Sequence, residues 1–171
     1  MTGYFTTRRL FAAALLGAAP AQLHAATPPV ESTATTIILR PLTVLKIADL
    51  DFGAVIVTTA GTIVLDPVTD AVATTGGVIP VAGTPHAAHF AGAASGNAVV
   101  NIKLPKQPVT LTRVGGTQTM TLTKLTLDSL DKTTMARAGS FEFKVGGTVN
   151  VGANQAEGNY LGTFTVTVQY P

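Results

Sequence analysis

The residues of this 171-residue chain that could carry out acid–base or metal chemistry stand in a few short pairs. His86 and His89 form H-A-A-H. On a strand, residues three apart face opposite sides, so these histidines could not share a metal ion. Asp49 and Asp51 would share a strand face, as paired carboxylates need for acid–base work, but no third group supports a site there. We interpret the histidines as loop or strand-edge residues and the aspartates as a solvated strand start.

Three further motifs resemble known signatures but lack the sequence context that gives those signatures meaning. D-F-G at Asp51–Gly53 has none of the accompanying loops of a kinase. D-P-V-T-D at Asp66–Asp70 could form a calcium loop, but it has too few ligands for a defined site. G-G-T-V-N-V-G at 146–152 lacks the spacing and the following helix of a dinucleotide-binding turn.

The composition points away from catalysis and from nucleic acid. The chain has no cysteine, which excludes disulfides, thiolate metal sites and a cysteine nucleophile. The serines beyond the leader lie outside any G-x-S-x-G context. Without Arg8 and Arg9, which fall in a predicted leader, nine basic residues stand against nine acidic ones. No basic patch interleaved with aromatics is present, so we expect a non-enzyme without a cofactor and without a nucleic-acid partner.

Residues 1–25 predict a secretory signal peptide, because two arginines precede the apolar run Leu10–Ala19 and then small residues. The run is too short to span a bilayer, so no membrane span is expected after its removal. Cleavage fits after Ala21, Ala25 or Ala26. T-R-R-L-F also partly matches the twin-arginine export motif, so the general secretory and twin-arginine routes both stay open. We expect a periplasmic, extracellular or cell-surface protein.

The rest of the chain predicts an all-β fold. Residues 26–36 are rich in Pro and Thr, which is typical of an exposed linker. From residue 37 to residue 171, apolar stretches of strand length alternate with Gly, Pro, Asp and Asn, and no convincing helical period occurs. We therefore expect a single domain of eight to ten strands, an immunoglobulin-like antiparallel β-sandwich.

Several strand pairings can be predicted from turn residues and from alternation. We expect one long strand at 36–47, bent or broken at Pro41, because proline cannot donate to a ladder. Residues 51–57 and 61–66 look like a hairpin, and so do 108–114 and 119–127 around G-G-T-Q. In F-E-F-K-V-G-G-T-V-N-V-G, the two glycines at 146–147 should reset the alternation.

The chain ends on the two-faced stretch Y-L-G-T-F-T-V-T-V-Q-Y-P. Phe164, Val166 and Val168 share one face with Tyr170, whereas the other face is mostly hydroxyl and amide. The simplest interpretation is a core strand that Tyr170 caps, with its hydroxyl reaching water.

Several segments of the domain carry a family likeness. These are P-L-T-V-L-K-I-A-D-L-D-F-G-A-V-I-V, G-T-I-V-L-D-P, V-V-N-I-K-L-P with V-T-L-T-R, and F-E-F-K-V-G-G-T-V-N-V-G-A-N-Q-A-E-G-N-Y-L-G-T-F-T-V-T-V-Q-Y. Together they resemble the bacterial domain-of-unknown-function family numbered 4402, over about residues 37–170. The resemblance implies a secreted bacterial protein and carries no catalytic residues with it.

The C-terminus separately resembles that of chaperone–usher pilus subunits, because Tyr170 is penultimate and Gly158 is fourteenth from the end. That resemblance implies a sandwich lacking its last strand, which a periplasmic chaperone and then a neighbour's N-terminal strand would complete. The chain departs from such subunits in having no disulfide and few apolar residues in 26–36. Either the domain is complete, or Ile37–Leu45 is the exported strand.

We therefore expect a secreted structural protein, a fimbria-like or surface-assembled subunit whose partners are copies of itself or a periplasmic chaperone. The alternative is a soluble periplasmic or extracellular module that binds a glycan or a protein through loops such as Gly76–Gly96. The candidate assembly residues are Ile37, Leu39, Leu42, Val44, Gly158, Phe164, Val166, Val168 and Tyr170.

Overall fold

A computed structural model describes residues 33–129, 133–136 and 138–171. The predicted signal peptide, 1–25, and most of the predicted linker, 26–36, lie outside these residues. Over the described ranges the chain forms thirteen strands and no helix. The strands are β1 (Thr43–Ala48), β2 (Ala54–Val57), β3 (Gly61–Leu65), β4 (Val72–Thr74), β5 (Val78–Ala82), β6 (Ala88–Ala93), β7 (Val99–Lys103), β8 (Val109–Arg113), β9 (Thr119–Leu127), β10 (Thr133–Met135), β11 (Ser140–Val151), β12 (Tyr160–Leu161) and β13 (Thr167–Gln169).

The largest sheet has eight strands and is built around β11, the longest strand. Along one edge, the first half of β11 pairs with β6 and the second half with β3, while β9 pairs with the opposite edge. β1 lies beyond β6, β4 beyond β3, and β8 and β12 beyond β9. Every pair is antiparallel, so the predicted all-β antiparallel class is confirmed. The immunoglobulin-like topology stays a prediction.

Two smaller sheets cover the large sheet through two apolar clusters. In the first cluster, Val100 and Ile102 of β7 pack with Phe141 and Phe143 of β11, and β7 pairs with β10 and β13 in a three-stranded sheet. In the second cluster, the two-stranded sheet β2–β5 packs against β3, β9 and the far end of β11. This packing of small sheets over a large one is consistent with a β-sandwich.

The alternation of β11 runs unbroken along the strand. Every second position from Phe141 to Val151 is buried, and each of these positions carries an apolar side chain except the glycine at 147. The predicted reset at 146–147 is therefore wrong. The extra residue is instead Thr123 on β9, because Lys124 stands opposite Thr148 and Leu122 opposite Val149. Such a bulge shifts the register of one strand and leaves its partner regular.

One predicted hairpin is confirmed and another is wrong. β8 and β9 pair directly around G-G-T-Q, as predicted. β2 and β3 do not pair: β2 pairs with β5, whereas β3 pairs with β4 and β11. The two strands lie in different layers: Val55 and Val57 of β2 pack against the second apolar cluster, to which Ile63 of β3 contributes from the large sheet. The stretch Gly76–Gly96, expected to be a loop, contains β5 and β6.

Candidate assembly edges at the two ends of the domain

The C-terminal stretch, predicted as one strand, is two short strands in different sheets. β12 pairs with β8 in the large sheet, and β13 pairs with β7 in the three-stranded sheet. Between them, residues 162–166 belong to no ladder. In the part of the chain that the structure describes, no backbone hydrogen bond is found for Thr163, Phe164 or Thr165. We call residues 162–166 the C-terminal gap.

The connection between β7 and β8 explains why the C-terminal gap has no partner strand from its own chain. β7 ends at Lys103 and β8 begins at Val109; the pairing with β8 stops at Leu161 and the pairing with β7 begins only at Thr167, so residues 162–166 lie near the start of β8 without joining its ladder. Pro105 and Pro108 lie in this connection, and proline has no N–H to donate. The two prolines in K-L-P-K-Q-P are the sequence signal that could have indicated this break.

An open groove lies beside the C-terminal gap. Its volume is about 680 Å³, and its walls are residues 161–165 on one side and Pro105, Gln107 and the start of β8 on the other. Gly162 lies close to β8, because a Cβ at this position would stand 2.6 Å from the carbonyl oxygen of Thr110. No residue that lines the groove carries a charge. The groove therefore suits an uncharged segment.

The alternate apolar residues of the C-terminal stretch face inward. Phe164, Val166, Val168 and Tyr170 are half-buried and pack against the first apolar cluster, while the threonines between them are exposed. Phe164 also lines the groove. This packing fixes the face that the stretch presents to the core, and the role of these residues in assembly stays a prediction.

The hydroxyl of Tyr170 joins three distant segments. It accepts a hydrogen bond from the Ser95 N–H at 2.8 Å and donates one to the Arg40 carbonyl at 2.9 Å. The Arg40 N–H in turn donates to the Ser95 Oγ at 2.7 Å. The expectation that this hydroxyl points to water is therefore wrong. The side chain fastens the last residues of the chain to the segment that precedes β1.

Gly158, the other residue of the pilus-like pattern, lies in the loop before β12 and outside any strand. Its φ of 140° is a conformation that favours glycine. A Cβ here would also stand 2.7 Å from Nε of Arg113, the atom that donates a hydrogen bond to the Glu157 carbonyl. The conformation and close packing of this loop therefore require glycine at position 158.

The candidate residues near the N-terminal end fall into two groups. Ile37 and Leu39 belong to no strand, and the side chains of Ile37 and Ile38 are 80% and 92% exposed. Leu42 packs against the first apolar cluster, and Val44 lies on β1 opposite Gly92 of β6. We call Ile37–Leu39 the N-terminal apolar segment.

The predicted long strand at 36–47 is therefore wrong for its first half. The ladder begins only at Thr43, two residues after Pro41, which cannot donate a backbone hydrogen bond. Arg40 is bound to Ser95 and Tyr170 instead of to a neighbouring strand. The second half of the stretch pairs with β6 of its own chain.

The two aspartates of D-P-V-T-D stabilise local structure. Asp66 accepts hydrogen bonds from the N–H groups of Thr69 and Val68, which lower the pKa of its carboxyl and close the turn. Asp70 accepts hydrogen bonds from the Lys144 Nζ and the Ala87 N–H, both at 2.8 Å. The Lys144 hydrogen bond, with that of Ala87, holds the pKa of Asp70 below its ordinary value. Sequence reasoning missed this link because Lys144 is 74 residues away.

The other acidic and histidine candidates form no chemical site, although the backbones of Asp51 and His86 pair through two hydrogen bonds of 3.0 and 2.9 Å. Asp51 accepts a hydrogen bond from the Gly53 N–H at 2.8 Å, and Asp49 pairs with Lys46. His86 Nδ1 is 2.8 Å from the Thr84 carbonyl. His89 Nε2 is 3.3 Å from Glu142 Oε2, beside a cleft of about 300 Å³. Across the described ranges, no three such side chains form a group that could hold a metal ion.

Comparison with known proteins gives one match. The family model described as "Domain of unknown function (DUF4402)" matches residues 42–170, a span that contains all thirteen strands, so the resemblance noted in the sequence is confirmed. No curated protein and no solved structure matches the chain. The likeness to pilus subunits stays a prediction. Among the described residues, no helix has the length and apolar character to cross a membrane.

Proposed function

The chain belongs to the family Domain of unknown function (DUF4402), and we propose that it is a non-enzymatic structural subunit that assembles by accepting a strand from another polypeptide. The predicted leader supports export, to the periplasm or the cell surface. The proposed partners are copies of the same chain or a periplasmic chaperone. This proposal requires an immunoglobulin-like sandwich in which one strand position is open.

The C-terminal gap is the observation that carries this proposal. Its backbone groups have no partner strand within the described residues, and half-buried Phe164 lies at its centre beside an open groove. An extended peptide placed here would pair with the free backbone and would insert alternate side chains into the groove. Addition at this position would also join β12 and β13 into one continuous edge.

Assembly can be tested by light scattering after size exclusion on the full chain, over a wide range of protein concentration. We expect oligomers whose size rises with concentration. Thr163→Arg places a charge and added bulk in the uncharged groove and should yield a monomer. Thr167→Arg is the matched control, because Thr167 is exposed on the same stretch but does not line the groove.

The competing proposal, a soluble module that binds a glycan or a protein, predicts a different result. Such a module would be a monomer at every concentration, would unfold in one cooperative urea transition, and would be unchanged by Thr163→Arg. That combination would contradict assembly through the C-terminal gap. Association that Thr163→Arg and Thr167→Arg weaken equally would also contradict it, because the effect would then lie outside the groove.

A further inference from the structure

We infer that the strand accepted by the C-terminal gap is the N-terminal apolar segment, Ile37–Leu39, of a second copy of this chain. This inference rests on the proposed function for the statement that the gap accepts a strand. It adds the identity of that strand and limits the exchanged part to the residues before Pro41. β1 stays paired with β6 of its own chain.

The N-terminal apolar segment has the properties of a strand without a partner. It contains three consecutive large aliphatic residues, two of them β-branched, and threonines precede it in the sequence. β-Branched residues fit a pleated surface well. Leu39 is 45% exposed, and the two isoleucines before it are more exposed still. Contiguous exposed apolar residues mark an interaction site more often than singly scattered ones do.

Neither the N-terminal apolar segment nor the groove carries a charge. From Ser32 to Leu39 the sequence S-T-A-T-T-I-I-L has no charged residue, and the residues that line the groove have none. A peptide with charged side chains would have to bury them against Phe164 and Leu161, which is costly without a partner charge.

Alternation decides which side chains enter the groove. In an extended strand, Ile37 and Leu39 point to one face and Ile38 points to the other. The face with two aliphatic side chains covers more of the apolar wall than the face with one. We therefore assign Ile37 and Leu39 to the groove and Ile38 to the solvent side.

Chain length indicates that the donor is a second copy. Arg40 is held at Tyr170 by a hydrogen bond. The five residues from Tyr170 back to Thr165 span about 17 Å when extended, whereas the three from Arg40 back to Ile37 span about 10 Å. The segment therefore stops short of the groove in its own chain while that bond is intact. A neighbouring copy is free of this limit.

The donor is tested by substitutions that keep strand propensity and remove apolar surface. The double variant Ile37→Thr with Leu39→Thr should remain a monomer in light scattering of the full chain. Ile38→Thr is the matched control and should assemble like the native chain. Urea unfolding of each variant, measured at low concentration, shows that the domain itself is folded.

A peptide measurement tests the contact directly and does not depend on assembly. The probe is a fluorescent peptide of residues Ser32–Leu39, and the receiver is the full-length double variant, whose groove is empty. Anisotropy should report binding that weakens by at least about tenfold when Thr163→Arg is added to the receiver. The same peptide with threonine at positions 37 and 39 should bind equally weakly.

The outcomes separate this inference from the proposed function. If the double variant assembles like the native chain while Thr163→Arg does not, the groove accepts another strand, and the inference is overturned but the proposed function stands. If Thr163→Arg leaves the oligomeric state unchanged, the proposed function itself fails. If the peptide binds equally with and without Thr163→Arg, the inference is overturned whatever the oligomeric state.

Discussion

β1 is an outer strand of the large sheet, and the C-terminal gap is an unpaired stretch between the edge strands β12 and β13; their sequences protect them from further pairing to different degrees. β1 is the outer strand at one end of the large sheet, and its register shifts between Lys46 and Ala48. Lys46 adds a charge, and Pro41 comes shortly before the strand. Bulges, lysines and prolines are the usual means of preventing an edge from pairing with another chain.

The C-terminal gap has none of these features. From Leu161 to Gln169 the sequence contains no charge and no proline. The prolines lie instead on the facing connection, at 105 and 108, where they keep the chain from supplying its own partner strand. The difference predicts that β1 resists further pairing and that the gap accepts it. The predictions below test the two edges against each other.

The largest expected difference concerns packing. Phe164→Ala removes a half-buried ring from the first apolar cluster and should lower the free energy of unfolding by about 2 kcal/mol. The loss is smaller than for a fully buried phenylalanine, because part of this ring is already in contact with water. Val44→Ala on β1 removes a side chain that is 41% exposed and should change that free energy by less than about 0.5 kcal/mol. Urea unfolding in the Thr163→Arg background separates these effects from assembly. Equal losses at both positions would contradict the comparison.

A smaller difference is expected between two tyrosines of the C-terminal stretch. Tyr170→Phe leaves the Ser95 N–H and the Arg40 carbonyl without their hydroxyl partner and should cost about 1–2 kcal/mol. Tyr160→Phe is the control, because its hydroxyl bonds only within the adjacent loop, to Gln155 and Ala156. We expect a smaller cost there, since water can replace local partners.

Hydrogen exchange identifies the cause of the Tyr170 effect. The Ser95 amide should exchange faster in Tyr170→Phe and at the native rate in Tyr160→Phe. Unchanged protection of the Ser95 amide in both variants would show that Tyr170 does not fasten this junction.

Asp70 should make stability depend on acid pH. Its pKa is lowered on folding, so its contribution is present above the ordinary pKa, near 4, and is lost as the pH falls through the folded value. Asp70→Asn should cost about 1 kcal/mol at neutral pH, a figure reduced because the side chain is 32% exposed. Asparagine also tolerates the left-handed backbone at this position, where φ is 58°.

The measurement is the urea midpoint between pH 7 and pH 2. The native midpoint should fall more steeply below pH 4 than that of Asp70→Asn. Asp49→Asn, in an exposed pair with Lys46, is the control and should parallel the native curve. Parallel curves for the native chain and Asp70→Asn would contradict a role for the Asp70–Lys144 contact.

The parts of the fold that depend on local sequence could be predicted. Alternation indicated the all-β class, the inward face of the C-terminal stretch and the β8–β9 hairpin, because each follows from neighbouring residues. The pairing of β2 with β5 could not be predicted in this way. T-T-A-G joins β2 to β3 like a hairpin turn, and only the packing of Val55 and Val57 onto the second cluster places β2 in another layer.

The inward face of the C-terminal stretch could be predicted from the sequence, whereas the arrangement of the stretch could not, and the assembly role of its residues stays a prediction. Phe164, Val166 and Tyr170 were recognised from their spacing. The transfer of the chain from one sheet to another between Leu161 and Thr167 depends on where β7 ends and β8 begins, which is a long-range property. The Tyr170 contact with Arg40 spans 130 residues and leaves no local trace in the sequence.

The smallest expected effect on stability is at Lys46, and it tests whether β1 is actively protected. Lys46→Thr removes a surface ion pair with Asp49 and should change the free energy of unfolding by less than about 0.5 kcal/mol. In the Thr163→Arg background, however, it should restore concentration-dependent association, because the edge then lacks its charge while the apolar side chains of Leu45 and Ile47 remain exposed. Lys124→Thr, on the interior strand β9, is the control and should leave that background monomeric. A monomeric Lys46→Thr variant would show that the bulge and Pro41 protect β1 without the charge.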